Sequence, residues 1–289
     1  MKMSTRNRMV SSILVSGPLL WVLGFLFVPY LIMFSYSFYI RQYPFFVPAF
    51  QFGNYAQIFT DPQYYQVLLR TAKIAVLVAT SAMLLAYPLA YFLVFKVKSD
   101  RLRMVLYMAV IVPLWVSYLL RSYTWKIILG SEGVLNSFLV WVGILDKPTD
   151  IFLYNQFSMV VTLTYIFIPF MVMPIYTALE KIPRNLVEAS KDLGVGPIRT
   201  FISITLPLSM PGVIAGATFT FCLTFGDFIA PFLVGGPNGQ MIANVITSQF
   251  GSSMNWPLGA ALSIVMLVVV LSIITLSDRL ERAGRLDLG

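Results

Sequence analysis

Histidine is absent from these 289 residues, and cysteine occurs once, at Cys222. The first absence removes imidazole-based metal sites, triads and general bases. The second removes an internal disulfide and a CxxC redox pair, and Cys222, set in an apolar run, reads as a buried small hydrophobe. Charge is scarce as well. Charged residues make up 11% of the chain against about 25% in soluble domains, while 58% is hydrophobic. So little charge cannot cover a water-soluble globule of this size, and the composition points to a bilayer as solvent. No glycine is followed by lysine, which removes a Walker A phosphate loop. The net charge of +8 would suit nucleic acid. Yet the basic residues flank apolar runs, where they orient a membrane protein instead of binding phosphates.

A transmembrane helix needs about 20 predominantly apolar residues. Such runs lie at 13–35, 72–95, 104–125, 157–178, 209–232 and 257–278. No linker or internal repeat divides them, so residues 1–289 read as one all-α integral membrane domain with six transmembrane helices. Lys2, Arg6 and Arg8 precede the first span, and Lys96, Lys98, Arg101 and Arg103 follow the second. Lys181, Arg184, Lys191 and Arg199 follow the fourth, and Arg279, Arg282 and Arg285 follow the sixth. One face thus carries 14 of the 20 basic residues. The positive-inside rule makes that face cytoplasmic, together with both termini. The N-terminus imitates a signal peptide, but its apolar run exceeds the usual core of about 7–15 residues and lacks a small-residue cleavage site. It reads as an uncleaved first helix. On the other face, residues 51–73 suggest a short interfacial helix, "GSEGVLN" a turn into another, and "GGPNG" a tight turn.

Residues 180–207 form the longest cytoplasmic loop. Asn185 is placed to cap a helix through Lys191 or Leu193, with Leu186, Ala189 and Leu193 at helical spacing. Gly194, Gly196 and Pro197 break it. A second amphipathic helix follows with Ile198, Phe201 and Ile202, and Pro207 stops it before the fifth span. The bland reading is a helix resting on lipid headgroups. The other is a compact knob whose apolar stripe docks in a partner's groove.

The stretch "EASKDLGVGPIRTFISITLP" resembles the signature of permease subunits of prokaryotic binding-protein-dependent ABC importers. The family pattern is EAA, three residues, Gly, nine residues, Ile, one residue, Leu-Pro. Glu188, Ala189, Gly194, Ile204, Leu206 and Pro207 match it, and Ser190 stands where Ala is usual. The resemblance implies a type I ABC importer permease fold whose coupling helix seats in an ATPase subunit. It also implies that Glu188 meets a polar group there and that Gly194 reverses the chain where a side chain would collide. Its implied partners are an ABC ATPase dimer, a second homologous permease and a periplasmic substrate-binding protein in a bacterial inner membrane. ATP and Mg would bind the ATPase, leaving this chain without cofactor, metal or catalytic residue. "VPLWVSYLLRSYTWKIILGSEGVLN", "GDFIAPFLVGGP" and "NWPLGAALSIVML" resemble the spermidine/putrescine permease branch. That branch implies a polyamine ligand, with opines, other amino-acid derivatives, thiamine or iron chelates as alternatives.

Ionisable groups at membrane depth are costly and usually face a cavity or a partner. Asp227 in the fifth span, Arg121 and Lys126 after the third, and Lys73 at the entry of the second all fall toward the outer side. Asp227 lies about 16 residues beyond Pro211, or roughly 24 Å along a helix. It suits either the translocation path or an ion pair with Arg121. Arg121 and Lys126 are also able to snorkel to the interface. Tyr118, Tyr123 and Trp125 suit an aromatic belt or contacts to a cationic ligand. A secondary transporter would have no use for the knob, and a membrane enzyme would need clustered nucleophiles or ligands that are not seen here.

The orientation has a direct test. A cysteine at Ser99 should resist an impermeant thiol reagent in intact cells, whereas one at Asp146 should react. The opposite labelling would invert the topology.

Overall fold

The computed structural model describes residues 14, 16–42 and 44–286, without the side chains of Lys191 and residues 283–286. In chain order the helices are α1 (Ser16–Tyr36), α2 (Gly53–Thr60), α3 (Pro62–Lys96) and α4 (Asp100–Ile111, extended by a 3-10 turn over Val112–Trp115). They continue as α5 (Tyr118–Leu129), α6 (Val134–Trp141), α7 (Gln156–Glu180), α8 (Arg184–Asp192) and α9 (Pro197–Phe225). The last are α10 (Ile229–Val234), α11 (Ile242–Phe250) and α12 (Trp256–Leu286). Among the described residues one antiparallel strand pair, β1 (Ile40–Gln42) with β2 (Phe45–Val47), sets Ile40 opposite Val47. Helices α1, α3, α7, α9 and α12 are each long and apolar enough to cross a membrane. The α4–α6 stretch qualifies only as a pair bent by 96°.

Two compact units share these elements, and the boundary cuts α11 and α12. One holds the described residues up to Pro62 and Ile246–Leu267. Its organising group is Trp256, stacked on Phe46 at 5.8 Å and near Tyr36 and Phe250 at 6.4 and 6.1 Å. Asn54 clamps the end of α1 by donating to the carbonyls of Ser37 and Tyr39.

The other unit, Gln63–Val245 with Val268 onward, contains the candidate site. Along α3 every fourth residue from Ile74 through Val78, Ala82, Ala86 and Ala90 is buried, a ridge that ends at Val94. The alanines let α7 approach closely, which matters in lipid, where packing replaces the hydrophobic drive between helices. The core forms two clusters. Ile74 and Val78 meet Met159, Leu163, Ile166 and Phe167 with Ala230, Leu233 and Val234. Ala82, Ala86 and Ala90 meet Met171, Val172, Ile175, Leu179 and Val213. Helix α7 is capped reciprocally: Asn155 Oδ1 accepts from Ser158 N at 3.0 Å, and Ser158 Oγ accepts from Asn155 N at 3.1 Å.

Several expected boundaries change. Residue 13, the expected start of the first span, lies outside the described residues. The second span begins ten residues before 72, because Arg70 and Lys73 do not interrupt the helix. At 35 residues α3 is about 52 Å long against a core of about 30 Å, so its charged turns lie beyond the apolar layer. The run 104–125 is no single helix: Pro113 sits in the 3-10 turn and the chain is extended at Val116. The run 209–232 is interrupted after Phe225, while its helix starts back at Pro197. Pro207 therefore does not stop the chain. In α1 and α9 a widened π turn (Leu23–Phe27, Phe201–Thr205) ends two residues before a proline. Such a turn relieves the clash of the ring with the carbonyl four residues back. Helices α7 and α12 cover residues 157–178 and 257–278, and the short helices expected within 51–73 and after "GSEG" appear as α2 and α6. Cys222 is half-buried instead of fully buried.

Gly212 and Gly216, one turn apart on α9, face α7. A Cβ on Gly212 would stand 2.5 Å from the Pro174 carbonyl oxygen, and one on Gly216 would stand 2.8 Å from Met171 Sδ. Gly212→Val should therefore force α9 off α7 at a cost of about 1–3 kcal/mol, read as a lower thermal midpoint of the detergent-solubilised protein. An unchanged midpoint would mean the two helices separate without penalty.

Candidate functional site

Two features of the second unit carry chemistry. The first is the loop between α7 and α9. Helix α8 begins at Arg184, where Leu186 N–H bonds to the Pro183 carbonyl, so Asn185 lies inside the first turn and is not its cap. Gly194 then reverses the chain at φ +74°, and nothing lies within 4 Å of where its Cβ would be. Backbone conformation, not space within this chain, demands glycine here. Ser190 and Thr200, both buried, share a hydrogen bond of 2.8 Å that ties α8 to the first turn of α9. Phe201 packs near-perpendicular to Tyr87 and Tyr91 of α3 at 5.7 and 5.8 Å, and the Tyr87 hydroxyl meets Ser209 Oγ at 2.8 Å. Ile204, Leu206 and Pro207 are half-buried in the continuous helix that roots the knob. Glu188 and Ala189 are exposed, and so are Leu186, Ile202, Leu193 (82%) and Ile198 (75%). The knob is rigidly mounted and presents an apolar surface around an acidic group.

The second feature is buried. Asp227 is 9% exposed and lies in the gap between α9 and α10, not inside a helix. Its Oδ2 accepts from the Tyr118 hydroxyl at 2.5 Å, and its oxygens accept from Ile229 N and Ala230 N at 3.1 and 3.4 Å. Those amides open α10 and have no helical acceptor. Asn244 Nδ2 donates to the Phe228 carbonyl at 2.8 Å, closing the gap from the other side.

The expected ion pair between Asp227 and Arg121 does not form. Arg121, 9% exposed, turns to α7 and donates from Nη1 to the Ile166 carbonyl at 3.2 Å. Its guanidinium carbon stands 5.8 Å from the Tyr118 ring centre, and its Nε has no hydrogen-bond partner. Burial also excludes snorkelling for Arg121. Lys126, half-buried, lies over the rings of Tyr123 and Tyr154. Of the residues expected to line a path, Tyr118, Arg121 and Asp227 converge. Tyr123 (47% exposed) points away, and Trp125 packs edge-on against Tyr165 at 5.4 Å.

Other contacts had no signature in the sequence. Ser158 Oγ donates to the Val234 carbonyl at 2.7 Å, Thr71 Oγ1 accepts from Ile242 N at 2.9 Å, and Arg70 donates to the Asn238 carbonyl. All brace the turn around Gly236, whose φ of +68° and following 3-10 turn realise the "GGPNG" expectation. Among the described residues no group of three acidic or sulfur ligands could hold a metal.

Several apolar passes, two of them broken, and a rooted, projecting loop make this a multi-pass helical membrane protein. Residues 82–285 match the family described as binding-protein-dependent transport system inner membrane component. The spermidine/putrescine transport system permease protein PotB of Escherichia coli K12 is 39% identical over 251 residues, covering 86% of this chain and 90% of its own. The inner membrane ABC transporter permease protein YdcU of the same organism is 36% identical, with 77% and 74% covered. A chain of the crystal structure of a bacterial alginate ABC transporter, in complex with alginate pentasaccharide-bound periplasmic protein, superposes with a TM-score of 0.74. It is 20% identical and 96% and 95% are covered, a likeness of fold. This chain belongs to the family of binding-protein-dependent transport system inner membrane components, the multi-pass permease subunits of ABC importers.

The hydrogen bonds at the gap predict an order of tolerance. Asp227→Ala strands two buried amides and the Tyr118 hydroxyl and should cost about 1–3 kcal/mol, seen as a lower thermal midpoint. Asp227→Asn keeps an acceptor for the amides and should cost less. Adding Arg121→Gln to Asp227→Asn should restore nothing, and recovery would reinstate the ion pair.

Proposed function

We propose that this chain forms one half of the membrane pathway of an ATP-driven importer for polyamines or closely related cationic amines. The observation that carries the reading is the rooted, exposed knob at 184–202, in which the EAA-type pattern begins and from which it runs on to Pro207 in α9. Amphipathic elements that keep Leu193 and Ile198 in water need a partner's groove. The partner in this reading is a separate ATPase subunit, which holds ATP and Mg, and Glu188 supplies a charged contact at its cleft. A second permease completes the path, and a periplasmic binding protein delivers the ligand. Both termini and the loops 96–103 and 180–210 face the cytoplasm. ATP-driven closure of the ATPase dimer moves the knobs, and the bundle opens outward.

The ligand class rests on relatives such as the spermidine/putrescine permease PotB and on 39% identity to it. Opines, thiamine and iron chelates remain the alternative cargoes of the same machinery. Asp227 enters this reading as a ligand contact only through exchange of the Tyr118 hydroxyl for an ammonium group.

Uptake of labelled spermidine into vesicles carrying the whole transporter tests both parts. Glu188→Ala should remove a charge-assisted contact worth about 1–3 kcal/mol, and Gly194→Val should strain the turn by about 1–2 kcal/mol. Each should lower uptake and the recovery of ATPase subunit with the purified membrane protein. Normal values of both in both variants would mean the knob does not couple. Uptake of thiamine or an opine but not spermidine would correct the ligand while leaving the mechanism in place.

A further inference from the structure

Two helices of the second unit break, and one hydrogen bond joins the breaks. The α4 segment ends at Trp115 and helix resumes at Tyr118. Helix α9 ends at Phe225 and helix resumes at Ile229. Tyr118 is the first residue beyond one gap and Asp227 lies within the other, so their 2.5 Å bond runs from hinge to hinge. The neighbouring polar links fasten the same parts. Arg121 holds α5 to the Ile166 carbonyl of α7, and Ser158 holds the start of α7 to the end of α10. Helix α7 has its own weak turn at this level, since Pro169 follows Ile166 by three residues. The apolar core divides at the same place. Ile166 and Phe167 belong to the cluster that holds Ala230 and Leu233, and Met171 belongs to the cluster that holds Val213.

We propose that the Tyr118–Asp227 hydrogen bond is a hinge pin. It makes α5, α10 and the first half of α7 one body that moves against the remainder of the bundle during transport. The pin stays closed through the cycle, because opening it leaves a carboxylate and a hydroxyl without each other in an apolar interior. Tyr118 is then a positioning residue: it sets the relation of two helix segments and does not touch the ligand. This inference rests on the importer reading.

Spin-label distances in the assembled transporter test it, on a Cys222→Ser background. One pair, Thr124→Cys with Phe232→Cys, reports α5 against α10. The other, Thr124→Cys with Thr177→Cys, reports α5 against α7 beyond Pro169. Between the nucleotide-free and ATP–vanadate-trapped states, the first distance should stay fixed while the second shifts. Spermidine-loaded binding protein should leave the first unchanged as well. Tyr118→Phe should broaden the first distribution and lower spermidine uptake roughly tenfold, the equivalent of one such hydrogen bond. A first distance that changes with nucleotide in the unaltered pin would overturn the proposal without any variant at Tyr118 or Asp227. A first distance that broadens when ligand arrives would show the hydroxyl giving way to an ammonium, and would overturn it too. If neither distance responds to nucleotide while ATP still drives spermidine uptake, the moving-body proposal fails with the importer reading intact; without ATP-driven uptake of any cargo, the importer reading fails first.

Discussion

A helix that breaks inside a bilayer exposes amides and carbonyls to a solvent that cannot bond them, each at a cost of several kcal/mol. The candidate site of this chain is organised by that constraint. The gap after α9 orphans the amides of Ile229 and Ala230, and Asp227 supplies their missing partner. Asn244 adds a second donor to the Phe228 carbonyl, which also accepts from Phe232 N. Asp227 then needs compensation of its own, which the Tyr118 hydroxyl provides. A carboxylate that would be unfavourable facing lipid becomes the acceptor around which three segments assemble.

The scarcity of charge follows from the same solvent. Two ion pairs, Arg103 with Asp100 and Arg282 with Asp278, each lie within one helix near its end. Local pairs with at least one solvent-facing partner contribute little. The ionisable groups that matter are the buried ones, and their partners are neutral: a phenol and two amides for Asp227, and for Arg121 a carbonyl at Nη1, with Nε left unpartnered. Neutral partners avoid the further cost of desolvating a second charge.

The knob applies the opposite logic. Its exposed tip is apolar, and its root is tied down by a buried hydroxyl pair, an aromatic contact to α3 and the continuity of α9 from Pro197 to Phe225. Continuity matters mechanically. In the proposed mechanism a push at Ile198 would travel along one helix to the gap that Asp227 caps, with Gly212 and Gly216 facing α7 on the way.

Span number and the EAA-type loop were legible because each depends on local composition or fixed spacing. The helix ends were less so. Arg70 and Lys73 masked the start of α3, since a helix does not stop where the apolar layer stops, and Pro207 suggested an end that a widened turn absorbs. Asp227 and Arg121 stood out as costly groups, but opposite charge made them look like a pair. Tertiary structure separated them, because Arg121 on α5 turns toward α7 whereas Tyr118, three residues earlier, faces the gap. The contact that decides the site joins residues 109 positions apart. Nothing in the neighbourhood of either residue specifies it, because it exists only once two helix breaks have been brought to the same depth by the packing of α5, α7 and α10.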